Sequence, residues 1–205
     1  MTSYQTISGS SIAEIVEKKS RFIAHLAHVD DEEEALAFLQ GVRTEHAQAR
    51  HNVYAYILKS GRVRYSDDGE PAQTSGMPTY ETLAHADLTD VICVTTRYFG
   101  GTLLGTGGLV RAYTQACQAA IEAADVVTIS RCRDVEIVVP YDLYQPVLRA
   151  AETKGVTVAS TDFAECVNIT FRSLEEESDA LKGRLIEVTR GKCPIEVGPS
   201  YEGAI

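Results

Sequence analysis

The sequence lacks any long apolar run. No stretch approaches the roughly 18 consecutive apolar residues that a membrane-spanning helix needs. The N-terminal residues also lack the apolar core of a signal peptide. We therefore expect a cytoplasmic protein that has no membrane partner.

Paired cysteines are missing as well. The five cysteines are scattered and form no CxxC pair, which argues against a disulfide framework or a zinc knuckle. Most of them sit in apolar strings, where cysteine usually acts as a small buried hydrophobe. We expect structural thiols rather than catalytic ones.

A basic module is absent too. The net charge is -10, and neither half of the chain has more lysine and arginine than aspartate and glutamate. Proteins that bind nucleic acid over a whole face normally carry a basic domain. Any contact with RNA must therefore be local.

No catalytic signature is visible. The sequence has no nucleophile elbow, no Walker A loop and no dinucleotide-binding GxGxxG. His46 and His51 are spaced poorly for a metal pair, and His25, His28 and His85 fall on predicted strand or helix surfaces without an assigned role. We predict no catalytic residue, no metal and no cofactor, although an enzyme is not excluded.

What is present is a regular alternation of strand and helix patterns with ordinary globular composition. Residues 12–17, 21–29, 52–59, 62–66 and 90–99 read as strands. Helices are predicted after an aspartate cap at Asp30 or Asp31, over residues 78–88, and from about Leu109 to Ala124. The apolar run within 90–99 predicts a central strand.

A second pattern begins near Cys132 in the order strand, helix, strand, strand, helix, strand. Ser173 and Glu176 are spaced as a capping box for the second helix. This order is typical of the ferredoxin-like fold. We predict an α+β protein with domains at residues 1–130 and 131–205.

A glycine-rich segment follows the predicted central strand. Glycines allow backbone amides to approach an anion, and the following helix would point its positive end at the same place. The alternative is a tight strand-to-helix turn that needs glycine only for packing, and the sequence leaves both open. The candidate anion-binding residues are Arg97, Gly100, Gly101, Gly105, Gly107, Gly108 and Arg111.

An acidic turn precedes the second helix. Asp67, Asp68 and Glu70 place three carboxylates within four positions. They could hold Mg²⁺ against a phosphate, since Mg²⁺ prefers carboxylate and substrate oxygens. An exposed hairpin turn is the simpler interpretation, and we favour it.

A basic pair, Arg50 and His51, precedes one predicted strand, on which the tyrosines Tyr54 and Tyr56 alternate with other residues. With Tyr98 they could form a platform on which bases stack. Ordinary packing of tyrosine in strands is the favoured alternative. Arg21, in the SRFIA motif, is a further surface candidate.

Five ordered motifs resemble the IMPACT/YigZ family: SRFIA, HNVYAY, SDDGEP, the GMP turn and RYFGGTLLGTGGLVRAY. The resemblance implies a first domain with the ribosomal protein S5 domain 2-like fold, including a left-handed crossover, and a ferredoxin-like second domain. The pair would resemble the last two domains of elongation factor G. Gln73 and Val53 depart from the family pattern, and the loss of a cysteine at Val53 counts against thiol chemistry.

The resemblance also carries a functional expectation. Eukaryotic relatives act as translational regulators that compete for an activator of a stress-response kinase. We therefore expect a non-enzymatic translation-linked regulator that binds RNA or the ribosome through its first domain. A protein-interaction regulator and a phosphate- or nucleotide-binding enzyme are the alternatives.

Overall fold

A computed structural model describes residues 3–205, which form two compact units. One comprises residues 4–127, and the other comprises Ser3 with residues 128–205. This mixed architecture confirms the predicted α+β class. The elements of the first unit are β1 (Tyr4–Ile7), β2 (Ser10–Glu17), β3 (Ser20–His28), α1 (Glu32–Glu45), β4 (His51–Ile57), β5 (Val63–Ser66), α2 (Gly76–His85), β6 (Val91–Tyr98) and α3 (Thr106–Glu122).

The first unit is built on an antiparallel sheet. In the described residues its strand order is β2-β3-β6-β4-β5. Strand β6 is central, with β3 on one side and β4 on the other. Its first seven residues are buried, as its apolar sequence predicts.

Helices cover both faces of this sheet, because successive side chains of a strand point to opposite faces. Helix α1 packs Ala35, Leu39 and Val42 on one face. Helices α2 and α3 pack on the other face, where Leu83 and Tyr113 are fully buried. One face of the sheet is therefore covered by α1 and the other by α2 and α3.

Helix α1 begins as the sequence predicts. Asp31 is the N-cap, and its side chain accepts a hydrogen bond from the Glu34 backbone N–H at 2.9 Å. Glu34 returns the contact by accepting the backbone N–H of Asp30. Helices α2 and α3 each begin two or three residues before their predicted starts.

The second unit contains β7 (Val126–Val139), whose first two residues belong to the first unit, then α4 (Tyr141–Ala151), β8 (Val156–Phe163), β9 (Val167–Leu174), a 3₁₀ turn (Glu175–Glu177), α5 (Ser178–Thr189), β10 (Ile195–Val197) and β11 (Tyr201–Ala204). Strand β7 pairs with β9 on one side and with β10 and β11 on the other, and β9 pairs with β8. The order β10-β7-β9-β8 is that of the predicted ferredoxin-like split βαβ.

The predicted capping box in the second unit is wrong. Ser173 lies in β9, and its hydroxyl donates to the Leu174 carbonyl instead of accepting a helix N–H. The 3₁₀ turn separates the strand from α5, which begins at Ser178. Strand β11 was not predicted. Tyr201 anchors it, donating to Asp134 at 2.5 Å and accepting from Arg172 at 2.7 Å.

Close backbone approach fixes one glycine of the glycine-rich segment. A Cβ built on Gly100 would lie 2.0 Å from the carbonyl carbon of Lys19. The Gly100 N–H also donates to the Ser20 hydroxyl at 3.1 Å. The end of β6 therefore rests directly on the turn between β2 and β3.

We expect Gly100→Ala to destabilise the first unit by more than about 3 kcal/mol, because the added methyl meets backbone that cannot move aside. Gly107→Ala is the matched control. It sits in the first turn of α3, its Cβ would meet only the Arg111 guanidinium at 3.7 Å, and alanine favours helix by about 1 kcal/mol. Urea unfolding followed by circular dichroism measures the free energy of unfolding of both variants. Equal stability of the two would contradict the close backbone approach at Gly100.

Candidate functional site

The acidic turn is a folded loop rather than an exposed hairpin. Asp67 Oδ1 accepts from the Ser75 and Gly76 amides at 3.0 and 2.8 Å and from the Ser75 hydroxyl at 2.7 Å. Its Oδ2 accepts from the Gln73 amide at 2.9 Å. The carboxylate thus caps the start of α2 from a distance in sequence, which places a negative charge at the helix N-terminus.

Asp68 ties this loop to two other elements. Its carboxylate accepts from Arg43 of α1 at 2.9 Å and from the Asn52 amide of β4 at 2.7 Å. The His51 Nδ1 lies 2.8 Å from the Asp68 carbonyl. Because a carbonyl only accepts, Nδ1 carries a proton, and in the neutral form of the imidazole Nε2 has the lone pair.

Glu70 is the buried member of the loop. Its side chain is 3% exposed and accepts from Arg97 Nη1 at 2.7 and 2.9 Å. The Tyr113 hydroxyl of α3 donates to the same carboxylate at 2.8 Å. Burial, followed by the charge of Glu70, raises the pKa of Tyr113 well above its usual range, so the phenol stays protonated.

Aromatic rings enclose the Arg97 guanidinium. Its central carbon lies 5.5 Å from the ring of Phe22 and 5.6 Å from that of Phe99. Arg97 Nε is buried and makes no hydrogen bond within the part of the chain that the structure describes. Arg97 is therefore a buried charge neutralised by Glu70, and it is not a free anion-binding group.

These contacts bear on the two hypotheses about the acidic turn. Each of its three carboxylates is already engaged by protein donors, so none stands ready for Mg²⁺. The preference for a simple exposed turn is also wrong, since Glu70 is buried and Asp67 and Asp68 each hold several donors. The loop is a structural bridge between α1, β4, α2, β6 and α3.

Most glycines of the glycine-rich segment have a structural explanation. Gly101 and Gly105 adopt positive φ angles of 87° and 72°, and a Cβ on Gly108 would lie 3.0 Å from Leu104. Gly107 alone among the candidates has neither a positive φ nor a tight neighbour. Gly105 is the N-cap of α3 and provides no side-chain cap, and Arg111 is exposed.

A groove opens beside the far end of β6. It is a cavity of about 640 Å³, and the described residues that line it include no carboxylate. Phe99 is 54% exposed there, and Leu103 is 83% exposed. The lining residues are Gln48, Arg50, His51, Arg97, Tyr98, Phe99 and Leu103.

The groove gathers only part of the predicted platform. It includes His51 and Tyr98. The prediction of Tyr54 and Tyr56 as surface residues is wrong, because both lie under α1 at 6% and 0% exposure. Arg21 is exposed but is occupied by Glu14, which accepts from it at 2.7 and 2.9 Å.

Four groove residues are absent from the site residues that the sequence predicts. Arg50 was visible as the first member of a basic pair with His51, and Phe99 as the residue that follows Tyr98. Gln48 and Leu103 carried no signal, since an isolated glutamine or leucine in a loop is ordinary. Only the approach of the loop after α1 to the end of β6 places them together.

The chain is thus a two-domain α+β protein whose first unit holds a buried arginine, glutamate and tyrosine at the end of its central strand. The Impact N-terminal domain matches residues 18–121, and a domain of unknown function (DUF1949) matches residues 137–192. The chain belongs to the IMPACT family, as its motifs predicted.

Relatives from distant bacteria support this membership. The IMPACT family member YvyE of Bacillus subtilis is 34% identical over 96% of this chain and 91% of its own length. An IMPACT family member of Thermus thermophilus is 42% identical over 87% of this chain and 98% of its own length. A solved structure described as a hypothetical protein is 29% identical, covers 95% of this chain and 97% of that one, and has a TM-score of 0.63.

We expect Glu70→Gln to destabilise the first unit by about 3 kcal/mol or more, since it leaves the buried Arg97 charge uncompensated. Tyr113→Phe keeps the ion pair and loses one hydrogen bond to a charged group, which costs about 1.5–3 kcal/mol. Urea unfolding of both variants measures the difference. A Glu70→Gln variant as stable as Tyr113→Phe would show that the ion pair is not the main constraint.

The Asp67 cap gives a pH-dependent prediction. Burial raises the pKa of Asp67, but hydrogen bonds from Gly76, Ser75 and Gln73 outweigh it and hold the pKa below its usual value. The cap therefore stabilises the fold above the unfolded-state pKa of about 3.9, and this stability is lost as the pH falls through the lower folded-state pKa.

We expect Asp67→Asn to lower stability at pH 7 by about 1–3 kcal/mol, and the difference from the unsubstituted chain to shrink below pH ~4. Unfolding in urea across this pH range tests it. Asp87→Asn is the control, because Asp87 is an exposed residue of the same unit and asparagine also tolerates its positive φ. A constant difference at every pH would contradict the role of the Asp67 charge.

Proposed function

We propose that this protein is a non-enzymatic, cytoplasmic, translation-linked regulator that binds RNA, free or within the ribosome, through the groove beside the end of β6. One observation carries the proposal. In a chain with a net charge of -10, this groove is lined by the exposed Arg50 and by His51 with two aromatic rings and no carboxylate, while the charge of Arg97 is neutralised by Glu70.

The groove chemistry suits a single strand. Arg50 is exposed and offers a charge-assisted contact to a phosphate, while His51 Nε2 is free to accept from a base or a 2′-hydroxyl. The exposed ring of Phe99 is available for base stacking. The Arg97 guanidinium packs against this ring, 5.6 Å from the ring centre. Its own charge is neutralised by Glu70.

The acidic remainder of the surface limits how much RNA can be bound. A backbone that extended beyond the groove would meet net negative charge, so we expect only one or two phosphates to be neutralised. Each phosphate of a single strand contributes a salt slope of about −0.7, so the logarithm of affinity should fall with a slope of about −1 against log salt.

The link to translation rests on family membership. A Dictyostelium discoideum protein named as an IMPACT homolog is 39% identical to this chain over 97 residues, and the match covers 44% of the chain. The family resemblance implies that eukaryotic members regulate translation. The groove lies in the domain shared with these relatives, whose family match spans residues 18–121.

Filter binding of the full chain to single-stranded RNA at several salt concentrations tests the proposal. We expect Phe99→Ala to weaken binding about tenfold, because base stacking on an aromatic ring contributes about 1–3 kcal/mol. Arg50→Ala should weaken binding and flatten the salt slope.

Arg149→Ala is the matched control, since it removes an exposed arginine from the second unit and should leave binding unchanged. RNA affinity that lacks a negative salt slope, or that falls equally in the control, would overturn the proposal.

A protein partner at the same groove is the second candidate, favoured by the exposed apolar side chains of Leu103 and Phe99. Capture from lysate before and after nuclease treatment separates the two. A partner that survives nuclease and is lost in Leu103→Ser supports the protein interaction, whereas a partner lost with the RNA supports the first candidate. The phosphate-binding enzyme ranks last, because Glu70 occupies Arg97 and other protein donors occupy Asp67 and Asp68.

A further inference from the structure

Two histidines far apart in sequence meet behind the groove. His25 lies on β3, on the face covered by α1, and is 4% exposed. His46 is the C-cap residue of α1. Their Nε2 atoms are 3.0 Å apart, and the rings are inclined at 58° with centres 5.1 Å apart.

Glu45 completes the cluster. Its carboxylate and the two imidazoles each offer a ligand atom, and these atoms all lie within 4.8 Å of one another. Among residues 3–205 this is the one group of three histidine, cysteine or acidic side chains that comes so close together. It combines a buried, a half-buried and an exposed ligand.

We propose that His25, His46 and Glu45 form a binding site for a divalent transition metal, with Zn²⁺ as the best-matched ion. The site lies outside the groove lining, except that Tyr98 contacts both. It does not depend on RNA binding.

The spacing of the imidazoles fits this ion. Two Zn–N bonds of about 2.05 Å at a tetrahedral angle place their nitrogens about 3.3 Å apart, so the observed 3.0 Å needs only a small opening. Two imidazoles and one carboxylate are a known three-ligand set for zinc, and they leave a fourth position open to solvent. Glu45 is exposed, so its flexible side chain can turn to the ion.

The outer contact of His46 favours the ligand role. Its Nδ1 lies 3.0 Å from the Tyr98 hydroxyl, which accepts when Nδ1 carries the proton. This contact fixes the ring orientation and leaves the Nε2 lone pair directed at His25, as outer-shell partners of metal-bound histidines do. Tyr98 is itself held beneath the Arg21 guanidinium, 5.6 Å from its ring centre.

A bound ion would join the end of α1 to β3 and hold His46 against Tyr98. The metal would thus stabilise the position of Tyr98, which also lines the groove.

Cobalt titration of the metal-free full chain tests the site, because Co²⁺ replaces Zn²⁺ and reports its ligands by visible absorption. We expect saturable d–d bands with a single equivalent of Co²⁺, no thiolate charge-transfer band, and loss of the bands on adding Zn²⁺. Zn²⁺ should also raise the melting temperature. The absence of saturable absorption, or a thiolate band, would overturn the proposal.

Variants locate the ion. His46→Gln and Glu45→Gln alter side chains that are not buried and should each abolish or strongly weaken the cobalt signal, while the fold persists. His25→Leu should do the same, with circular dichroism checking its folding. Tyr98→Phe should lower metal affinity about tenfold, since it removes only the outer partner.

His85→Ala is the control for adventitious histidine binding, because His85 is exposed on α2 and far from the cluster in sequence. It should bind Co²⁺ and Zn²⁺ as the unsubstituted chain does. Equal loss of signal in His85→Ala, or unchanged signal in both His46→Gln and Glu45→Gln, would refute the site.

Discussion

The buried contact between Arg97 and Glu70 is the constraint on which the first unit depends. Arg97 stands on the central strand, Glu70 on the loop before α2, and Tyr113 on α3, and one carboxylate receives hydrogen bonds from both partners. A buried charge is tolerated only when it is paired and hydrogen-bonded, so none of the three groups can move independently. This contact therefore fixes where the strand ends relative to the loop and helix.

The glycine-rich segment serves mainly to pack the chain around this buried contact. Gly100 allows the end of β6 to rest on the β2–β3 turn, and Gly101 and Gly105 supply the backbone angles that lead into α3. The segment is mainly a packing device around a neutralised arginine. Its consequence for function is indirect, because it holds Phe99 and Leu103 outward at the groove.

Local patterns predicted most elements because hydrophobic periodicity and caps act over short stretches of chain. The Asp31 cap, the central position of β6 and the split βαβ order were all visible in this way. The Ser173 capping box failed because strand pairing held Ser173 in β9 instead. Strand β11 escaped notice because Tyr201 is anchored by residues distant in sequence, which no local pattern records.

By itself the sequence determined the family, the α+β class and the position of the motifs, because these follow from residue types and spacing along the chain. Only the tertiary structure decided how the motif residues are used. Tyr54 and Tyr56 share a strand with His51 but lie on the opposite face, which α1 covers and buries. The loop after α1 brings Arg50 to Phe99. Burial and pairing depend on which elements pack together. For the same reason His25 and His46, unremarkable in sequence, meet where the end of α1 packs on β3.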